Sequence, residues 1–345
     1  MRILVITDPV IPVPPIDYGG VERIAASLCQ CLRDMGHVVD LIAGPGSQSF
    51  GGRLFIHHRP STKRLSRAAR KAWFQGISAA AVLKADCVIN FGRLDYLHLI
   101  LKLAKPLICC FQNPILASEV EWLVARRSRN LALVGISRAQ VEDVRHLAEF
   151  SVIYNSTNTD LFEARSGIPE EGYFVFLGRL TANKGVDTAI RVAKKCGVRL
   201  KIAGNRPQEE DGLRYFNEEI KPHLGDVIEY VGEINDEQKK SLLGNARALL
   251  FPIRWPEPFG IVMVESLACG TPVIATRCAS TPEVIDHGKT GFLAESEDEM
   301  VEAVQKIDSV DRLECRRQAE QRFSSKVMTE KYLDVIQKLV ASHSA

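Results

Sequence analysis

Short apolar runs without polar alternation recur along the chain, separated by longer stretches of helical spacing. In the first half the runs are residues 3–7, 38–43, 87–91, 107–111 and 131–136, with helices predicted over about 21–35 and 65–83. The same grammar restarts at 173–177 and continues through 200–203, 227–231, 248–252 and 272–275. Strands that are apolar on both faces belong in parallel sheets covered by helices on both sides. The pattern therefore predicts an α/β protein of two doubly wound, Rossmann-like domains. Ligands of such sheets bind beyond the carboxyl ends of the strands, so the expected site is a crevice between two facing domains. Residues 163–172, rich in Glu, Gly, Ser and Pro, have linker composition and put the junction near 156–171. The predicted division is 1–160, 161–323 and a final segment 324–345. In that last segment a helix over about 325–340 gathers Val327, Tyr332, Val335, Ile336 and Leu339 on one side, which is expected to pack back on the first domain.

A length of 345 residues agrees with two domains, and 46% hydrophobic residues with ordinary globular folding. The nine cysteines are scattered, odd in number and free of CxxC spacing, which favours reduced thiols. No apolar run approaches the roughly 20 residues of a membrane span, and strand character begins at Arg2, so a cytoplasmic protein is expected. The net charge of +2 hides an asymmetry. Up to Ser156 there are 19 Lys and Arg against 12 Asp and Glu; beyond it there are 25 against 30. A basic first half suits an anionic acceptor or membrane surface.

The chemistry concentrates in residues 255–275, WPEPFGIVMVESLACGTPVIA. Pro258 and Gly260 predict a helix beginning near Phe259, with Glu257 before it and Glu265 about two turns in. The free amides of the first turn, Gly260 to Val262, make an anion site between the two carboxylates. Hydroxyls at both ends and phosphate in the middle describe a nucleotide sugar. Paired carboxylates also serve glycoside hydrolysis, but a phosphate-binding helix end between them argues against it.

With residues 178–185 (GRLTANKG), 18–23 (YGGVER, containing Tyr18, Gly19 and Gly20) and 155–162 (NSTNTDLF), this stretch makes the chain resemble the retaining glycosyltransferases of family 4. The resemblance runs over nearly the whole length and is strongest over 173–293. It implies the GT-B fold, no cofactor and no metal, a UDP- or GDP-linked hexose donor bound mainly to the second domain, and a sugar or lipid-linked acceptor bound mainly to the first. It implies that Arg179 and Lys184 stabilise the departing diphosphate, Glu257 holds the transferred sugar and Glu265 the ribose. Gly19, Gly20, Gly178, Phe259, Gly260, Ile261 and Val262 complete the implied donor site. One departure is Gln112, with Asn113 beside it, where many members have a histidine that touches the transferred sugar. Glutamine hydrogen-bonds but cannot take a proton; in a same-face mechanism the leaving phosphate can do so instead. Ser156 and Asn158 also replace a commoner Gly and Asp. A nucleotide-sugar epimerase of the same shape, or a nucleotide-sugar-binding protein with weak catalysis, are the alternative readings.

Outside this constellation, the spacing of residues 63–74 predicts a basic amphipathic helix, with Arg64, Arg67 and Lys71 on one face and Leu65, Ala69, Ala72 and Trp73 on another. It either packs on the first domain or contacts an anionic membrane peripherally, on its inner face. Arg126, Arg127 and Arg129 read as a solvated run or an anionic-acceptor contact. His37 reads as a helix-end residue, and His57 and His58, adjacent on a strand, face opposite ways and cannot share a metal. No nucleic-acid motif is present.

Overall fold

The computed structural model describes residues 1–16, 19–57, 67–103, 105–126, 130–169 and 172–344, and the side chains of all of these except 67–73 and 343–344. Tyr18, His58, Arg64, Leu65, Arg127 and Arg129 lie outside the described residues, as do the side chains of Arg67, Ala69, Lys71, Ala72 and Trp73; of the basic segment only the backbone from Arg67 onward, in the helix Arg67–Lys84, and Phe74 are described.

The chain divides into two compact units, Met1–Ser156 with Ser325–Ala345, and Thr157–Ser324. The first unit holds seven strands: β1 (Arg2–Ile6), β2 (Val38–Ala43), β3 (Gly51–Ile56), β4 (Cys87–Asn90), β5 (Leu107–Phe111), β6 (Leu131–Gly135) and β7 (Phe150–Val152). They pair in parallel in the order β3-β2-β1-β4-β5-β6-β7. The strand order reverses beside β1, whose Ile6 lies opposite Asn90 of β4. Strands β3 and β7 escape the apolar-run criterion because edge strands need no two-sided burial. The first opens on two glycines and carries Arg53, and the second is three residues long.

The helix Gly20–Asp34 buries Ile24, Ala25, Leu28, Cys29 and Leu32, the stripe that 3.6-residue periodicity produces. The C-terminal helix Ser325–Ser344 belongs to the same unit and packs against it. Met328, Tyr332, Ile336 and Leu339 are buried there, and the Tyr332 hydroxyl donates to Cys110 Sγ at 2.9 Å. Chain passage between the units lies at Ser156–Thr157 and again at Ser324–Ser325, against boundaries of 160–161 and 323–324 read from sequence. The linker-like stretch falls within the second unit. Its Arg165 donates its amide to the Cys269 carbonyl at 3.2 Å and accepts from Arg312 Nε at 3.1 Å.

The second unit has six parallel strands: β8 (Tyr173–Leu177), β9 (Leu200–Ala203), β10 (Ile228–Gly232), β11 (Ala246–Phe251), β12 (Val273–Thr276) and β13 (Gly291–Ala294). Their order is β10-β9-β8-β11-β12-β13. β13, four residues opening on glycine, also lay below the sequence criterion. None of the nine cysteines, all among the described residues, forms a disulfide, and burial pushes the Cys87, Cys269 and Cys315 thiols up to about 12, which makes them poor nucleophiles.

Candidate active site

In the second sheet β8 has β9 on one side and β11 on the other, so the connections leaving β8 and β11 diverge and open a space beyond their carboxyl ends. Those two connections carry the candidate residues. After β8 come Gly178, the exposed Arg179, the buried Leu180 and a single 3₁₀ turn, Ala182–Lys184. Gly185 then adopts φ 75° and starts the helix Val186–Cys196. A Cβ at Gly185 would stand 1.9 Å from the Pro252 carbonyl oxygen, immediately after β11. The two loops therefore touch backbone to backbone at a point only glycine permits. A second tie is the Arg254 amide, which donates to the Asn183 carbonyl at 2.8 Å.

This contact brings Lys184 and Glu257 into a direct ion pair, with side chains 13% and 12% exposed. The Trp255 indole also donates to Glu257 Oε2 at 2.8 Å, and the Lys184 ammonium lies 4.8 Å from the Trp255 ring centroid. Cation, carboxylate and aromatic face thus support one another. Trp255 was not singled out from the sequence, although its place two residues before Glu257 is the available signal.

Asp187 fastens the loops from behind. It accepts from Arg254, from Arg191 Nη1 at 2.8 Å and from the Tyr215 hydroxyl at 2.6 Å. Burial alone would raise its pKa, but hydrogen bonds from Arg254, Tyr215 and Arg191 outweigh it and hold the carboxyl at about 2, against an ordinary 3.8. A carboxylate depressed on folding stabilises the fold above its unfolded pKa and loses that contribution as the pH falls through the folded one. Asp187→Asn is therefore expected to cost about 2 kcal/mol at pH 7. The gap to wild type should narrow as the pH is lowered from 4 towards 2, measured by urea titration. A pH-independent gap would contradict the linkage.

The helix predicted to begin near Phe259 starts two residues later, at Ile261–Ala268, because Gly260 takes φ 80° and serves as the N-cap. Glu265 is thus the fifth helical residue, little more than one turn in rather than two. The Phe259 side chain is 1% exposed and packs on Phe323 with ring centroids 5.9 Å apart, and its carbonyl accepts from Ser280 Oγ at 3.1 Å. It anchors the loop from the interior and does not face outward. Ile261 and Val262 are half-buried at the first turn, where helical amides lack intrahelical acceptors. Glu265, 5% exposed, is ion-paired to Lys239, which the sequence reading passed over within a charged helix.

In the first unit Gly19 is the N-cap of the helix Gly20–Asp34, and a Cβ there would meet Pro15 at 2.7 Å. Glu22, 7% exposed, has its pKa raised by burial and further by the charge of Asp8. Gln112 is held at both ends: Oε1 accepts from Asn155 Nδ2 at 2.8 Å, and Nε2 donates to Cys110 Sγ at 3.1 Å. Asn113 is exposed, and its carbonyl accepts from Gln140 at 2.7 Å. His57 is buried between Phe74 and Tyr96, with centroids at 4.5 and 5.2 Å. Among the described residues no three His, Cys, Asp or Glu side chains gather as a metal site, and no helix is long and apolar enough to cross a membrane.

Residues 158–325 match the family described as Glycosyl transferases group 1, and residues 18–161 match Glycosyltransferase Family 4. The chain belongs to the family 4 glycosyltransferases. The gpi3 subunit of phosphatidylinositol N-acetylglucosaminyltransferase from Schizosaccharomyces pombe is 30% identical over 164 residues, 46% of this family member and 35% of that protein. The chain thus spans only about a third of that relative's length. Among solved structures, sucrose-phosphate synthase from Thermosynechococcus elongatus superposes with a TM-score of 0.81 at 18% identity, covering 99% of each chain. Anabaena HepE, solved with UDP and glucose, gives 0.77 at 18% identity over 98% of this chain and 100% of that one. At these identities the likeness is one of fold: two Rossmann-like domains of the GT-B class.

Proposed function

We propose that this protein is a retaining glycosyltransferase that moves a hexose from a UDP- or GDP-linked donor to a hydroxyl of a sugar or lipid-linked acceptor. The carrying observation is the Lys184, Trp255 and Glu257 cluster at the strand-order reversal of the second sheet, followed in sequence by a helix start and Glu265. Its spacing fits one elongated ligand. Glu257 meets the hydroxyls of the transferred sugar, the Ile261 and Val262 amides meet phosphate, and Glu265 meets the ribose. The acceptor oxygen bonds to the anomeric carbon on the face from which the diphosphate leaves. The acceptor proton passes to a leaving phosphate oxygen, so neither Gln112 nor another side chain need act as base. Lys184 and Arg179 stabilise the negative charge that the departing diphosphate gathers. These cations do the work a metal would otherwise do, so turnover should be unchanged by EDTA.

HepE, solved with UDP-glucose, supports the donor class. UDP or GDP is expected to raise the melting temperature by several degrees, since a ligand of the folded state alone stabilises it. Incubation with UDP-glucose or GDP-mannose and an acceptor panel should give a product whose anomeric configuration by NMR matches the donor. No melting shift with either nucleotide would sink the donor assignment, and an inverted product the mechanism. A second reading, donor binding with little transfer, is favoured by one observation: both polar ends of Gln112 are already engaged. Nucleotide binding with neither transfer nor slow donor hydrolysis would select it.

A further inference from the structure

We infer that Lys239 is a positioning residue for ribose recognition, holding Glu265 so that the carboxylate selects a nucleotide carrying a 2′-hydroxyl. The inference rests on the donor reading above and adds a residue and a specificity to it. Lys239 lies on the helix Asp236–Gly244, whose start is fixed by a reciprocal cap: Asn235 Oδ1 accepts from the Gln238 amide at 2.9 Å, and Gln238 Oε1 from the Asn235 amide at 3.0 Å. Lys239 is 8% exposed and its ammonium contacts Glu265 Oε1, while Asp236 Oδ1 stands 3.3 Å away, half out in solvent.

Stability does not account for a lysine here. Removing an ammonium and a carboxylate from water costs several kcal/mol each, and apolar side chains of similar volume are often as stable in the place of such a pair. What the pair does provide is direction. Lys239 takes Oε1 and fixes the plane of the carboxylate, so the acceptor capacity left on Glu265 has a set orientation. Hydroxyls on adjacent ribose carbons require that. Lys239 itself need not touch the nucleotide.

The experiment compares Kd values of UDP with 2′-deoxy-UDP, and of GDP with 2′-deoxy-GDP, by calorimetry on the full-length wild type and on Lys239→Met. A hydrogen bond to a charged group is worth a factor of about 10 to 100, so the wild type should prefer the ribonucleotide at least about 10-fold. In Lys239→Met the preference should fall to within about 3-fold. Should that variant not fold, Lys239→Gln, which keeps a donor without the charge, carries the test, with an expected drop of at least about 3-fold in the ratio. If Lys239 only supports the fold, both nucleotides weaken together and the ratio stays at its wild-type value, which overturns the inference. Wild-type protein that binds ribo- and deoxyribonucleotide equally overturns it while leaving the donor reading intact. Protein that binds none of the four removes both.

Discussion

Lys184→Ala is expected to lower kcat at least about 100-fold at saturating donor, the scale of one lost charge-stabilising group. The melting temperature should move only a few degrees, because the side chain is held at a loop and not in the core. Lys184 and Glu257 form an ion pair with each other before any ligand is considered. Removing the lysine leaves a largely buried carboxylate with the Trp255 indole as its remaining hydrogen-bond donor among the described residues. Lysine and glutamate then act as a unit, so Lys184→Ala with Glu257→Ala should lose little more than the worse single variant. Turnover within 10-fold of wild type for Lys184→Ala, or losses that simply multiply in the double variant, would contradict the assignment. The check is initial-rate kinetics on purified, folded protein.

Gly185→Ala is expected to destabilise the second unit by about 3 kcal/mol or more. The left-handed conformation at φ 75° costs an alanine about 1 to 2 kcal/mol. The new methyl would also lie 1.9 Å from the Pro252 carbonyl oxygen, forcing apart the two loops that bring Lys184 to Glu257. Gly197, at the other end of the same helix, is the control. It has φ 63° but nothing within 4 Å of the position a Cβ would take, so Gly197→Ala should cost only about 1 kcal/mol. At about 2 to 4 °C per kcal/mol, calorimetry should separate the two variants clearly. Equal melting temperatures would show that the loop contact is unimportant, and retention of full turnover by Gly185→Ala would detach it from the site.

Sequence and fold agree or part company at particular residues. The central strands of both sheets were legible because each is apolar on both faces, whereas β3, β7 and β13 sit at edges or open on glycine and give no such run. The candidate loops were legible because chain position after a strand end is enough to place Arg179, Lys184 and Glu257 beyond the carboxyl end of one parallel sheet. Their mutual pairing was not, since it depends on the close approach of Gly185 to Pro252, a contact 67 positions apart in the chain. Lys239 was illegible for a different reason. It lies in DEQKK, which has the composition of a solvated face, and only packing against the helix Ile261–Ala268 removes it from water. The helix start differs by two residues because Pro258 and Gly260 together point to Phe259, while the glycine at 260 sets the actual cap and the helix opens at Ile261.

The return of the last helix to the first unit makes the second unit an insertion in the chain, entered at Thr157 and left at Ser324. These two residues form an isolated bridge, and the Thr157 amide donates to the Phe323 carbonyl at 2.9 Å, so the insertion's ends are clasped together. Damage is therefore not local in sequence. A premature stop some twenty residues from the end would leave the whole six-stranded second sheet encoded. Yet it would strip the cover from the helix Gly20–Asp34, near the other end of the chain, and from Cys110, 222 positions before its partner Tyr332, and the product should aggregate through its first unit.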